Sequence, residues 1–446
     1  MKRRQLLKLG AGAMALGKFG MGPVVSFADS MAFGDYKCLV NLFLLGGNDA
    51  FNMIAPSSTA EYNVYARSRQ NLAVARDDLL AISPDNPDGA SYGLHPSMQR
   101  ARTLFEAGDL GVVANVGPLV EPVTKSAYLD GSVRLPPQLF SHNDQQDQWQ
   151  TLKGQSGLSS GWAGRIADIL AVEGQGQLLP MNVSASGNVI FQAGNQTVPY
   201  TIGLEGANAY GAFAPDVQFG VERRAAFERL SALDPGNMHA RALRDVHQRS
   251  LGTADLVNNA LALAPTLTTT FPDTNLGRQL QIVARLLAVK EAFMASRQIF
   301  FVSTGGFDTH DDQNENQPGL LGDVSDSLGA FCDALKELGV FDQAVCFTQS
   351  DFGRTLTSNG DGTDHGWGSH QLVCGGPVLG RRIYGQMPVL EIGGEADVTG
   401  GRIIPTMSAD QYAATFARWF GVPEDQLVEV APNLGNFQQR DMGFLA

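Results

Sequence analysis

Three apolar runs along the chain each stop at a short loop that carries an acid, and this recurrence constrains the fold more than any other feature. Tyr36 to Leu45 (YKCLVNLFLL) ends in Gly46-Gly47-Asn48-Asp49. Gln298 to Ser303 (QIFFVS) ends in Thr304-Gly305-Gly306-Phe307-Asp308-Thr309-His310, and Gln343 to Phe347 leads through Thr348 to Ser350-Asp351. A near-continuous apolar run marks a strand buried on both faces, as in parallel sheets covered by helices. Leu276, Leu280, Val283 and Leu287 recur at helical steps, and Leu320 to Leu338 is also expected to be helical. A helix between the second and third runs makes one β–α–β crossover, which puts both run ends on the same edge of the sheet. Ligands of such sheets bind beyond the carboxyl ends of the strands. The expected fold class is α/β, with a mostly parallel sheet flanked by helices.

The remaining elements follow the same rhythm. Helices are expected over 59–68, from Ser97 to Ala107 behind Pro96, from Gly161 to Ala171, and from Ala409 to Phe420 behind Ser408 as N-cap. Leu110 to Val116 and the QLVCGG segment after His370 read as strands. Gly117 to Gly157 reads as one long polar loop, and loops of that length in a compact domain are often functional. Residues 182–203 read as short strands with turns and 222–262 as helix broken at Pro235-Gly236. The segment 180–270 is therefore a candidate cap or helical insertion on a single α/β domain spanning 29–446.

With 446 residues, 43% of them hydrophobic, and 51 glycines, the chain can bury a large core and hold long, defined loops. Arg3-Arg4, the mildly apolar run from Leu9 to Val25, and Ser26-Phe27-Ala28 before Asp29 read as a twin-arginine export signal over 1–28. The expected partner is the twin-arginine export machinery and the expected location is periplasmic or secreted; an ordinary secretory signal or an uncleaved anchor is the alternative. Removing the signal takes away five positive charges and no acid, so the formal charge of −13 becomes −18. Such an acidic chain argues against nucleic acid as a partner. No later run approaches the ~18 apolar residues of a membrane span. Cys38, Cys332, Cys346 and Cys374 have no metal-binding spacing. Buried thiols are the expectation, with one disulfide left open after export.

The densest chemistry lies between Cys346 and His370, CFTQSDFGRTLTSNGDGTDHGWGSH. With the two earlier motifs it yields Asp49, Asp308, His310, Asp351, Asp364, His365 and His370 as candidate metal ligands. Mixed carboxylates and imidazoles suit one or two divalent ions, Zn, Mn, Ca or Mg. Arg354 is a candidate clamp for a tetrahedral anion. In the long polar loop Ser141 is a candidate nucleophile and His142 a candidate substrate contact, set against a capping serine and a surface histidine. Asn48 is a further candidate substrate contact. Asp49 reads equally as a ligand and as a helix N-cap. His95, His239 and His247 read as structural or surface residues.

The segments LLGGNDAFN, GLHP, SHNDQQDQW, GGFDTH, SDFGRT, GTDHGWGSH and GRIIPTMSADQYAATFARWFG, in that order, resemble the bacterial twin-arginine-exported family called domain of unknown function 1501. The resemblance covers nearly all of the mature chain, and that family is distantly similar to the alkaline phosphatase and sulfatase superfamily. It implies an alkaline-phosphatase-like core with an acid after the first strand, here Asp49, and a T-x-S-D-type segment, which Thr348 to Asp351 matches. It also implies a metal-dependent hydrolase of phosphate or sulfate esters acting on a small-molecule or glycan ester. The histidine usual after that last acid is Phe352 here, and Asp364-His365 offers an Asp-His pair instead. No Cys-x-Pro-x-Arg or Ser-x-Pro-x-Arg nucleophile motif occurs. The alternative is a non-catalytic envelope protein of the same fold that binds a glycan or a protein partner.

Overall fold

Nine strands form the central sheet of the computed structural model, which describes residues 33–171, 176–207, 210–213, 216–233 and 236–446. The expected export signal, 1–28, lies outside the described residues. The strands are β1 (Lys37–Leu44), β2 (Leu110–Gly117), β3 (Asn182–Ser184), β4 (Tyr200–Thr201), β5 (Arg297–Thr304) and β6 (Ala344–Ser350). A small hairpin outside the sheet, β7 (Arg354–Ser358) with β8 (Thr363–His365), precedes β9 (Ser369–Cys374), β10 (Ile383–Tyr384) and β11 (Met407–Ser408). The sheet order is β10-β2-β9-β6-β1-β5-β3-β4, with β11 also beside β2. Every pairing is parallel except the two made by β9. This is the mostly parallel, helix-flanked α/β sheet expected from the apolar runs.

Helices cover both faces, and β1 shows why. Its alternate residues Cys38, Val40, Leu42 and Leu44 enter one apolar cluster, while Leu39 and Phe43 enter another. On the first face lie α2 (Gln99–Ala107), α7 (Asn275–Leu287) and α8 (Gln313–Glu337), contributing Phe105, Leu280, Val283, Val324 and Phe331. On the second lie α3 (His142–Thr151), α4 (Trp162–Leu170) and α9 (Ala409–Phe420), contributing Trp149, Trp162, Ile166 and Phe416. Ser408 caps α9 as expected, in a capping box with Gln411. Outside these layers α1 (Thr59–Arg69) leans on β7, and an arm of α5 (Gly220–Ser231) and α6 (Met238–Leu261) projects into solvent.

The register places the chemistry. Leu44 at the end of β1 pairs with Thr304 of β5 on one side and Ser350 of β6 on the other, so three acid-bearing loops leave the sheet level with one another. Gly46 is where they touch. Its φ is +116°, and a Cβ there would lie 2.4 Å from the Asp308 backbone nitrogen. Only glycine permits that approach.

Three expectations need correction. The stretch 117–157 is not one loop: it holds a short helix, Lys125–Asp130, and α3. The sequence of α3, HNDQQDQWQT, has no apolar periodicity because it buries Gln145, Gln148 and Gln150 beside Trp149. Helix α8 begins at Gln313, ahead of Leu320, and accommodates Pro318 in its second turn. Finally, β9 begins at Ser369, so His370 lies inside a strand and not in the preceding loop. All four cysteines are buried free thiols. Among the described residues no helix is long and apolar enough to cross a membrane.

Candidate metal centre

Four side chains from three segments meet at the carboxyl edge of the sheet. His142 is the first residue of α3, Asp308 and His310 follow β5, and His365 ends β8. One ligand atom from each lies within 4.8 Å of all the others. The His142, His310 and His365 Nε2 atoms stand 3.3, 3.2 and 3.7 Å from Asp308 Oδ1. His310 Nε2 and His365 Nε2 are 2.8 Å apart. Asp308 is 45% exposed, so the centre opens to solvent.

The other ring nitrogens explain why all three Nε2 atoms face inward. His142 Nδ1 is 2.7 Å from Asp351 Oδ2, His365 Nδ1 is 2.7 Å from the Phe140 carbonyl oxygen, and His310 Nδ1 is 3.3 Å from Asp364 Oδ1. The first two are hydrogen bonds to acceptors, which assigns the His142 and His365 protons to Nδ1 and leaves a lone pair on each Nε2, while the third is an ion-pair contact. Phe140 reaches its position through a left-handed backbone, φ 71°. Asp351 is fully buried and also accepts from Gln146 Nε2 at 2.9 Å and the Gly46 amide at 3.2 Å. His142 and Gln146 sit one turn apart on α3 and grip the same carboxylate oxygen.

This donor set fits a cation. The 2.8 Å between His310 Nε2 and His365 Nε2 is met either by one shared proton, N–H···N, or, with both protons on Nδ1, by a cation between the two lone pairs. His142 Nε2 is buried without a hydrogen-bond partner. A tetrahedral ion with bonds of about 2.0–2.1 Å sets its ligand atoms about 3.3 Å apart, within the observed range. Burial pushes the His365 pKa down, with only the Phe140 carbonyl opposing, so the ring stays neutral. Burial alone would raise the Asp308 pKa, but the hydrogen bond and charge of Arg354 hold it below the usual carboxylate value. Both groups are thus in the ligand-ready form at neutral pH.

The remaining candidates are placed elsewhere. Asp49 is buried in an ion pair with Arg69, accepts from Gln313 Nε2 at 2.5 Å, and caps a one-turn helix through the Asn52 amide. Asn48 is buried against Met53, not presented to a substrate. His370 is buried, accepts the Asn115 amide at 3.0 Å, and meets Phe51 edge-on. Its pKa is pushed down to about 3 by burial. Arg354 is buried and committed, donating to Asp308 Oδ1 at 2.7 Å, the Gly46 carbonyl at 3.2 Å, and both oxygens of Thr363. It positions Asp308 and is not free to clamp an anion. Ser141 donates to Asp144 Oδ2 at 2.6 Å at the start of α3. Asp364 reaches the centre only through His310.

Two residues gain roles that their sequence neighbourhoods hid. His142 joins the convergent set although nothing near it in the sequence has ligand spacing. Phe352 is fully buried, with ring centroids 4.8 Å from His142 and 4.7 Å from His365, and forms an apolar wall between them.

Solved structures give distant likenesses, each at 10% identity. "Ps i-CgsB in complex with k-i-k-neocarrahexaose" matches with TM-score 0.36 over 88% of this chain and 74% of that one. The PsFucS1 sulfatase from Pseudoalteromonas sp. matches with TM-score 0.34 over 100% and 77%. The lipoteichoic acid synthase LtaP from Listeria monocytogenes matches with TM-score 0.30 over 86% and 77%. At that distance the likeness fixes nothing about chemistry. No curated protein matches the sequence. Residues 36–414 match the model described as Protein of unknown function (DUF1501), and the chain belongs to that family.

Proposed function

We propose that the protein is an exported, metal-dependent hydrolase of phosphate or sulfate esters, centred on one divalent ion of zinc type. The observation that carries the reading is the convergence of three Nε2 lone pairs on Asp308 Oδ1, each ring held from behind by an acceptor. Three histidines and a carboxylate favour zinc over the all-oxygen shells of calcium or magnesium. A bound ion would supply Lewis acidity toward an ester oxygen.

The chain's own residues do the rest. Asp351 and the Phe140 carbonyl keep the His142 and His365 protons on Nδ1, and the Asp364 carboxylate stands 3.3 Å behind His310 Nδ1. Arg354 fixes the Asp308 carboxylate, and Phe352 excludes water from one side of the imidazoles. Ser141 is tied to Asp144, so an attacking water from the open side is the favoured nucleophile. Export in the twin-arginine manner, toward a periplasmic or secreted location, remains part of this proposal on the strength of residues 1–28.

A second reading has its own observation. Four protein ligands complete a tetrahedral shell, and closed shells are the mark of structural zinc. On that reading the protein is a non-catalytic envelope protein that binds a glycan or a protein partner. Purified protein of known metal content, assayed on aryl sulfates, phosphomonoesters and phosphodiesters, separates the two. The first reading expects turnover that disappears in His142→Ala and returns with added zinc in wild type stripped of metal. Full metal loading with no turnover on any ester class rejects it and leaves the second.

A further inference from the structure

Large apolar side chains that face solvent are concentrated in one place. Tyr210, Val217, Phe219, Val221, Leu230, Leu233, Met238, Leu243, Val246 and Leu263 are all exposed, and all belong to the arm or its roots. The arm is a helical hairpin of α5 and α6. Arg224 ties it together by ion pairs to Glu228 and Asp255, and Phe227 packs on Phe213 and His247 inside it. The second half of α6, from Leu251 through Val257 to Leu261, is buried in the body. The first half, 238–250, has no buried residue and extends about 20 Å at 1.5 Å per residue.

We propose that this arm is a self-association surface, and that two copies of the chain dimerise arm to arm. Area is the first argument. Phe219, Val221, Leu230, Leu233, Met238, Leu243 and Val246 are each 53–70% exposed. Summed over both helices they offer on the order of 700 Å² of apolar surface, beside the ~800 Å² that each partner contributes to a standard interface. Val221 and Leu230, nine residues apart, stand on opposite sides of α5, so a partner has to wrap around the arm to cover them together.

Charge is the second argument, and it selects the occupant. Residues 216–263 carry six arginines and six acids, net zero, while the chain from 29 onward carries −18. Two such acidic bodies repel at contact. Arms that reach about 20 Å keep the bodies more than two Debye lengths apart at physiological ionic strength, about 8 Å each. The neutral, apolar arm is therefore a surface on which two copies can meet. An anionic membrane is the weaker fit, since amphipathic membrane helices carry an excess of Lys and Arg that this arm lacks.

The test is sedimentation equilibrium of the mature chain, 29–446, across the micromolar range and at rising salt. The expected result is a reversible dimer that tightens as salt screens the bodies. Leu243→Glu/Val246→Glu should weaken association at least ~10-fold, with circular dichroism and metal content unchanged. Leu129→Glu, equally exposed but outside the arm, should leave it intact. A monomer at every concentration, a dimer that the arm variant does not weaken, or one that Leu129→Glu disrupts would overturn the proposal. So would a monomer that floats with phosphatidylglycerol vesicles, because the occupant would then be a lipid surface.

Discussion

Asp49 and Asp308 follow neighbouring parallel strands through the same four-residue pattern, Gly-Gly-x-Asp, and each is paired with an arginine. From sequence they are near equivalents, yet the structure separates them. Asp49 turns inward, and Arg69, Gln313 and the Asn52 amide take up its oxygens. Asp308 turns outward and faces three imidazoles. The difference lies in what packs above each loop. Helix α1 and the start of α8 lay Arg69 and Gln313 over the first, whereas the second lies under α3 and the hairpin of β7 and β8. The motif positions a carboxylate at the sheet edge, and distant elements decide whether it is structural or available.

That contrast can be broken by mutation, beginning with the largest effect. Asp49→Ala strands the Arg69 charge in a fully buried site and should cost about 3–5 kcal/mol in urea unfolding. His142→Ala, by contrast, should leave unfolding within about 1 kcal/mol of wild type while metal affinity falls at least ~100-fold in chelator competition. If Asp49→Ala were as stable as wild type and lost metal, the roles assigned to the two regions would be exchanged.

His370 sharpens the comparison through pH. Its folded pKa of about 3 lies below the unfolded ~6.5, so the unfolded state binds the proton first as pH falls. Its contribution is fully present above pH ~6.5 and is lost progressively toward pH 3, up to about 5 kcal/mol. His370→Gln should flatten that part of the stability profile without altering metal stoichiometry. An unchanged slope in denaturant titrations at pH 7, 5 and 4 would contradict this.

Asp351→Asn probes the link between core and centre. Loss of the carboxylate behind His142 Nδ1 should weaken metal binding roughly 10–100-fold. Ser141→Ala should do least, about 1 kcal/mol or less in stability, because no hydrogen bond from a helix amide to its side chain is made.

The apolar runs made the sheet legible, because buried parallel strands write themselves as continuous hydrophobic sequence, and the β1, β5 and β6 ends lie level as the crossover required. His310 was placed for the same reason, just beyond β5, whereas His365 ends β8, a hairpin strand that the glycine-rich sequence around it did not announce. His142 was less legible: α3 packs through glutamines, so no 3.6-residue apolar pattern announced the helix that delivers it. His370 misled in the opposite sense. A glycine-rich loop ran up to it, but Ser369 already pairs with Val116 and the histidine serves a bulge amide in the core. Phe352, at the position where the resemblance implied a histidine, is instead an apolar wall packed against His142 and His365.

The most direct test of the central claim is zinc stoichiometry, measured by titration of metal-stripped protein at neutral pH beside His310→Ala/His365→Ala and His370→Ala. The account predicts one ion per chain in wild type, none bound tightly in the double variant, and one still bound in His370→Ala. No tight zinc in wild type, or binding that survives the double variant and fails in His370→Ala, would contradict it.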